Sequence, residues 1–350
     1  YIMNRLERDN QKRGLLMITV AVDAMGGDNA PFEIVKGAVE AVKQRNDIAV
    51  QLVGRSDDIE KELAKYTYDK KRVSIVPASE VIETQAPPVA SIRTKKDSSI
   101  VVGLNQVKNE KADAFVSCGS TGAVLVGGQL IAGKIKGVKR TPLAPLIPTV
   151  KKPSLLIDCG ANVDARSEHL VQFAKMGSIY MKHIMGVKNP RVGIANIGAE
   201  EEKGNALVKE TFPLLKACKD INFIGSVEAR DIPFGVADVI VCEAFVGNVI
   251  LKMYEGTGKA LLKEIKKGLL SSFRGKIGAL LIKPSLKGMM KKFDASEYGG
   301  APLLGLKGLV VKAHGSSNAK EVTNAIIQCV AFKEQKISER IRESLSENEK

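Results

Sequence analysis

Short, unbroken apolar runs alternate along this chain with stretches in which apolar residues recur every three or four positions. The run 15–23, Leu-Leu-Met-Ile-Thr-Val-Ala-Val-Asp, reads as a buried strand. After Pro31, apolar positions 34, 35, 38, 39 and 42 keep helical spacing. A strand at 51–54, a helix at 57–66 and a strand at 73–77 follow. The alternation then continues with strand 113–117, helix 121–132, strand 154–158, helix 167–182, strand 191–197, helix 204–217 and strands 221–225 and 238–242. Helix 247–270, strand 308–313 and helix 318–333 complete it. Strands that are apolar throughout belong in a sheet covered by helices on both faces, and β-α alternation implies right-handed crossovers. The predicted fold is α/β, a three-layer α/β/α sandwich with a mainly parallel sheet, formed as one large unit over 15–335. Residues 1–14 read as a tag-like or poorly ordered extension, and 336–350 as a polar C-terminal tail.

Several strands end in glycine with small polar residues. These ends are Asp23-Ala-Met-Gly26-Gly27-Asp28, Ser117-Cys-Gly119-Ser120-Thr121-Gly122, Asp158-Cys-Gly160-Ala-Asn162, Asn196-Ile-Gly198 and His314-Gly315-Ser316-Ser317. In open α/β proteins the carboxyl ends of the strands form the ligand crevice, and backbone N–H groups in glycine turns suit an anion. The strongest case is the loop at 117–122, where Ser120 and Thr121 offer hydroxyls and phosphate fits; an ordinary helix cap with tight glycine packing is the plainer reading. The loop matches neither a nucleotide P-loop nor a dinucleotide fingerprint. Asp158 and Asn162 serve either to bind substrate or to hold their loop. Past Asn196, an acidic triplet that includes Glu201 precedes Lys203, a cation placed for phosphate or simply a solvated helix start. His314 is the histidine at a strand end, a candidate for substrate contact or proton transfer, whereas His169 and His183 read as packing or surface residues. Cys118 admits a covalent acyl-cysteine route, against the ordinary reading of a small buried cysteine.

Composition narrows the setting. Five scattered cysteines without CxxC spacing suit reduced thiols in a cytosol, three dispersed histidines propose no metal, and no run approaches a membrane span. The formal net charge is +14, and 260–292 carries nine basic residues against one glutamate, a net +8. With Leu261, Leu262, Ile265, Leu269, Leu270 and Phe273 on one stripe and Leu280, Leu281 and Ile282 in a second block after Gly278, 255–293 is a basic amphipathic arm. It suits an anionic membrane surface, an acidic protein or a neighbouring subunit. Nucleic acid is not among the expected partners.

The ordered set of segments resembles the bacterial phosphate acyltransferase family of phospholipid synthesis. The resemblance runs over 19–333 and rests on Val22-Asp-Ala-Met-Gly-Gly-Asp-Asn-Ala-Pro31, Lys95-Lys-Asp-Ser-Ser99, Val116-Ser-Cys-Gly-Ser-Thr-Gly-Ala123, Asp158-Cys-Gly-Ala-Asn-Val-Asp164, Asn196-Ile-Gly198, Lys203-Gly-Asn205, Gly247-Asn248-Val249, Tyr298-Gly-Gly-Ala-Pro302 and Lys312-Ala-His-Gly-Ser-Ser317. It implies an isocitrate-dehydrogenase/phosphotransacetylase-like fold with a cleft between lobes, a homodimer, and no cofactor. It also implies transfer of a long-chain acyl group from acyl carrier protein to inorganic phosphate at a cytoplasmic site peripheral to the membrane. The acyl phosphate then passes to glycerol-3-phosphate acyltransferase. On this reading phosphate sits on the Ser120/Thr121 loop with help from Lys203 or Lys95, while Asn162, Asn196 and His314 face the thioester carbonyl. The alternatives are a phosphotransacetylase-like enzyme using short acyl-coenzyme A and a non-catalytic membrane scaffold. The chain departs from the family's usual pattern at Glu243-Ala244, at 83–86, Glu-Thr-Gln-Ala, and at Asn318, where aspartate is usual.

Overall fold

A computed structural model describes residues 17–293 and 295–346. The expected extension at 1–14 lies outside the described residues. The chain divides into two compact units. Unit 1 comprises Tyr1–Pro145, Lys175–Asn189 and Ser296–Lys350, and unit 2 comprises Leu146–Ala174 and Pro190–Ala295. The helix Ser167–His183 begins in one and ends in the other.

Unit 1 is built on β1 (Ile18–Asp23), β2 (Ile48–Gly54), β3 (Val73–Pro77), β4 (Ala114–Ser117), β10 (Ala301–Leu303) and β11 (Leu309–Lys312). The strand order is β10-β11-β4-β1-β2-β3, parallel except for β10. β1, β4 and β11 are neighbours in the middle of this sheet. Their side chains are almost all buried, as unbroken apolar strands require. Helix α1 (Phe32–Gln44) buries Ile34, Val35, Ala38, Val39 and Val42, the positions its periodicity marked. It packs against the helix Ala319–Glu334, and Gly37 permits the close approach: a Cβ there would lie 2.6 Å from both Ala319 O and Val322 Cβ. The apolar-polar pattern does not show two further helices, Pro88–Thr94 and Ser99–Lys108. Where the sequence reading has a polar tail, a helix runs from Ile337 to Ser346 and buries Ile337, Ile341 and Leu345.

Unit 2 carries β5 (Leu146–Ile147), β6 (Ser154–Ile157), β7 (Arg191–Asn196), β8 (Asn222–Glu228) and β9 (Val239–Val241) in the order β5-β6-β9-β7-β8, parallel except for β5. The long helix Ala244–Leu270 seats Val246, Ile250, Leu251 and Tyr254 on the core made by Leu156, Ile240 and Cys242. The Tyr254 hydroxyl donates to Pro148 O at 2.5 Å. Beyond this anchored part the basic arm turns at Ser271–Ser272 into a second helix, Phe273–Lys292, which runs through Gly278. Leu261, Ile265, Leu270, Phe273, Ile277, Leu280, Leu281 and Ile282 are exposed along it.

Candidate active site

In unit 1 three strand ends come together. Register places Lys312 of β11 opposite Ser117 of β4, and Val116 opposite Val22 of β1, so Asp23 stands beside Ser117. Asp23 is buried; its carboxylate accepts the Ser117 hydroxyl at 2.6 Å and the Met25 N–H at 3.2 Å. Ser117 Oγ in turn accepts the Gly119 N–H at 3.0 Å. The third loop joins through the Asp28 N–H, which donates to Gly315 O at 2.8 Å, and through Asn29 Nδ2, 3.2 Å from both Ser316 O and Ser317 O. Burial raises the Asp23 carboxyl above the usual carboxylate range, against the hydrogen bonds from Ser117, Ser99 and Met25 and the charge of Lys312.

The glycines permit this closeness. A Cβ on Gly26 would collide with Asp23 Oδ2 and lie 2.7 Å from Gly119 N, and Gly27 holds φ +97° against Cys118 and Gly315 O. Ser120 caps the helix Thr121–Gly127, its hydroxyl accepting the Ala123 N–H at 3.4 Å, while Thr121 is exposed. Gly122 faces Pro88, a packing role. His314 is exposed, and its Nδ1 accepts the Ser316 N–H at 3.2 Å with the Ser316 hydroxyl 2.8 Å away. A backbone N–H only donates, so the neutral ring carries its proton on Nε2. Lys95, half-buried, donates to Val81 O at 2.6 Å. Burial pushes the Cys118 thiol up to about 12.

Ser317 of the 314–317 strand end also belongs to this cluster, as do Lys312, Asn29 and Ser99, which enter the sequence reading only inside longer segments and with no role assigned. Lys312 is 8% exposed, and its ammonium donates to Cys118 O at 3.3 Å and to Ala313 O. Ser317 is buried, with its side chain beside the Cys118 thiol. A lysine closing an apolar strand reads as a solvated end; only the register between strands brings it inside.

Unit 2 holds the other sequence candidates. Asp158 is buried and accepts the Ala161 N–H, the Asn162 N–H at 2.8 Å and the Asn162 amide at 2.7 Å. Gly160 takes φ +106° at the apex, and Gly247 packs on the Asp158 carbonyl, leaving Asn248 exposed. The Asn196 amide donates to Lys203 O at 3.1 Å and Ser226 Oγ at 3.0 Å, and its oxygen accepts the Ile197 N–H at 2.8 Å. The hydrogens expected to face a thioester carbonyl therefore close this loop instead. Gly198 lies against Lys203, whose ammonium pairs with Glu200 at 2.9 Å; Glu201 pairs with Lys216 at 2.7 Å. Glu200 raises the Lys203 pKa, keeping it cationic.

The departures at 243–244 and 318 resolve as caps. Glu243 accepts the N–H groups of Phe245 at 2.5 Å and Val246 at 2.9 Å, and Ala244 is buried as the first helical residue. Asn318 accepts the Glu321 N–H at 3.1 Å, as an aspartate does. No group of three or more potential metal ligands occurs among the described residues.

Residues 18–340 match the family model described as fatty acid synthesis protein. The chain is 51% identical over 328 residues to the phosphate acyltransferase of Clostridium acetobutylicum, covering 94% of this chain and 99% of that one. It is 52% identical over 329 residues to the phosphate acyltransferase of Alkaliphilus oremlandii, covering 93% and 97%. Among solved structures it is similar in fold to a phosphotransacetylase from Streptococcus pyogenes, with TM-score 0.61, 17% identity and coverage of 95% and 98%.

Proposed function

The chain belongs to the fatty acid synthesis protein family, whose members include the phosphate acyltransferases, and we propose that it moves a long-chain acyl group from acyl carrier protein to inorganic phosphate. The observation carrying this reading is the joining of three strand ends in unit 1 through Asp23, Ser117, Gly119, Asp28 and Gly315. Such an edge, lined by glycine backbone and small hydroxyls, is a fitting cradle for phosphate. Phosphate is itself the nucleophile. One of its oxygens bonds to the thioester carbonyl carbon, the tetrahedral oxyanion collapses, the C–S bond breaks, and the carrier thiolate leaves and takes a proton from solvent.

The protein then has to orient phosphate and stabilise developing charge. Ser120, Thr121 and the glycine backbone are assigned to phosphate, and His314 Nε2–H to donation at the reacting group. Lys95 and Lys203 stay as candidate anion ligands, while Asn162 and Asn196 set the loops they close. The basic arm is assigned to acidic partners, namely acyl carrier protein and anionic lipid, and to pairing with a second copy. On this reading the enzyme works in the cytoplasm, peripheral to the membrane, and supplies acyl phosphate to a glycerol-3-phosphate acyltransferase.

Purified protein incubated with phosphate and either palmitoyl-carrier protein or acetyl-coenzyme A tests this. Acyl phosphate and free thiol are expected from the first pair. Turnover with acetyl-coenzyme A alone would favour the phosphotransacetylase-like alternative, which resemblance in fold does not by itself support.

A further inference from the structure

The last residues of three neighbouring parallel strands, Asp23, Ser117 and Lys312, form one row across the carboxyl edge of the unit 1 sheet. Each is buried, with at most 8% of its surface exposed. In-register residues of parallel strands point to the same face, so the row brings a carboxylate, a hydroxyl and an ammonium together beneath the glycine loops. An ammonium removed from water is costly, and an apolar side chain fills such a position better. Lys312 nevertheless spends its hydrogens on the carbonyls of Cys118 and Ala313.

Those two carbonyls belong to the peptides that lead into Gly119 and His314. A trans peptide is planar, with C=O and N–H pointing to opposite sides, so holding the oxygen inward sets the direction of the following N–H. The Cys118–Gly119 peptide is fixed at both ends, by Lys312 at its oxygen and by Ser117 Oγ at its nitrogen, so its own N–H is committed and the fixing sets the path of the 119–122 loop. The Asp23 carboxyl, which feels the Lys312 charge, anchors Ser117. A bound dianion would therefore meet loops already oriented, above a fixed positive charge.

We propose that Lys312 is the positioning residue of the phosphate cradle, orienting the Cys118–Gly119 and Ala313–His314 peptides and supplying buried positive potential that strengthens phosphate binding. This rests on the reading that the unit 1 strand ends hold phosphate.

The test uses the full chain, varying phosphate and acyl donor separately in Lys312→Met, Lys312→Arg and Asp23→Asn. Lys312→Met keeps an unbranched side chain, one atom shorter, and removes the charge. It is expected to raise the phosphate KM roughly 30-fold, the scale of a lost charge-assisted hydrogen bond, while leaving the acyl-donor KM unchanged. It should also abolish the rise in melting temperature that inorganic phosphate gives the wild type. Lys312→Arg should recover most of the phosphate affinity. Asp23→Asn keeps an acceptor for Ser117 but removes the negative charge, so it should lower the phosphate KM; this variant decides the matter if Lys312→Met does not fold.

An unchanged phosphate KM in Lys312→Met, or a raised one in Asp23→Asn, would overturn the proposal while the wild type still saturated with phosphate. A wild type that neither turns over with phosphate nor is stabilised by it would instead remove the cradle reading, and this proposal with it.

Discussion

At the scale of single residues, the unit 1 cluster is governed by what a side chain would displace. Gly26 has no room for a methyl group: its Cβ would strike Asp23 Oδ2 and crowd Gly119 N. Both are fixed by the hydrogen bonds through Ser117, so neither can yield cheaply. Gly26→Ala is expected to cost about 2 kcal/mol or more in chemical unfolding and to raise the phosphate KM. A fully active, equally stable variant would show that the loops do not meet as described. Cys118 gives a second expectation. A thiol reacts as its thiolate, which forms only as pH rises through its pKa, and burial puts that at about 12. Burial also raises Cys159, Cys242 and Cys329, leaving Cys218 as the half-exposed thiol. At pH 8 a disulfide reagent should label one thiol per native chain, and Cys118→Ala should keep kcat within a few-fold. Loss of turnover in that variant would restore the covalent route.

Among elements, legibility followed locality. The strands that end in the cluster are short apolar runs, and the glycine-polar ends that follow them mark the sheet edge in the sequence itself. Asp23, Ser117 and the 119–122 turn could be named from such local pattern. Lys312 could not, because its burial depends on pairing with a strand some two hundred residues earlier. The same reason hid the Asn196 clasp, whose partner Ser226 lies on the neighbouring strand. The helix Ile337–Ser346 escaped because its polar residues outnumber the apolar ones. Its three apolar residues, Ile337, Ile341 and Leu345, nonetheless stand four apart on one face and are buried. Ile341 is 1% exposed, so Ile341→Ala should destabilise unit 1 by about 2–4 kcal/mol, read as a lower denaturant midpoint with phosphate kinetics unaffected at low temperature. An unchanged midpoint would mean that the segment contributes no packing.

For the whole molecule, charge is distributed unevenly enough to predict how the proposed carrier-protein donor would arrive. More than half of the net +14 falls within 260–292. Lys263, Lys266, Lys267 and Lys276 are exposed there, beside apolar residues that are themselves exposed. Exposed charges contribute little to fold stability, but their summed field speeds the approach of an acidic partner and is screened by salt. A charge-reversed arm carrying Lys263→Glu, Lys266→Glu, Lys267→Glu and Lys276→Glu should therefore lose about tenfold in kcat/KM for palmitoyl-carrier protein at low ionic strength. The loss should shrink between about 0.01 M and about 0.15 M salt as the screening length falls. With palmitoyl-pantetheine, which keeps the thioester but lacks the acidic protein, the variant should match the parent at every salt concentration. Equal losses with both donors would assign the lysines to the reacting centre, and no loss with either would separate the arm from substrate capture. A selective loss would link the basic arm to delivery of the protein-bound thioester, with the chemistry left to the strand ends.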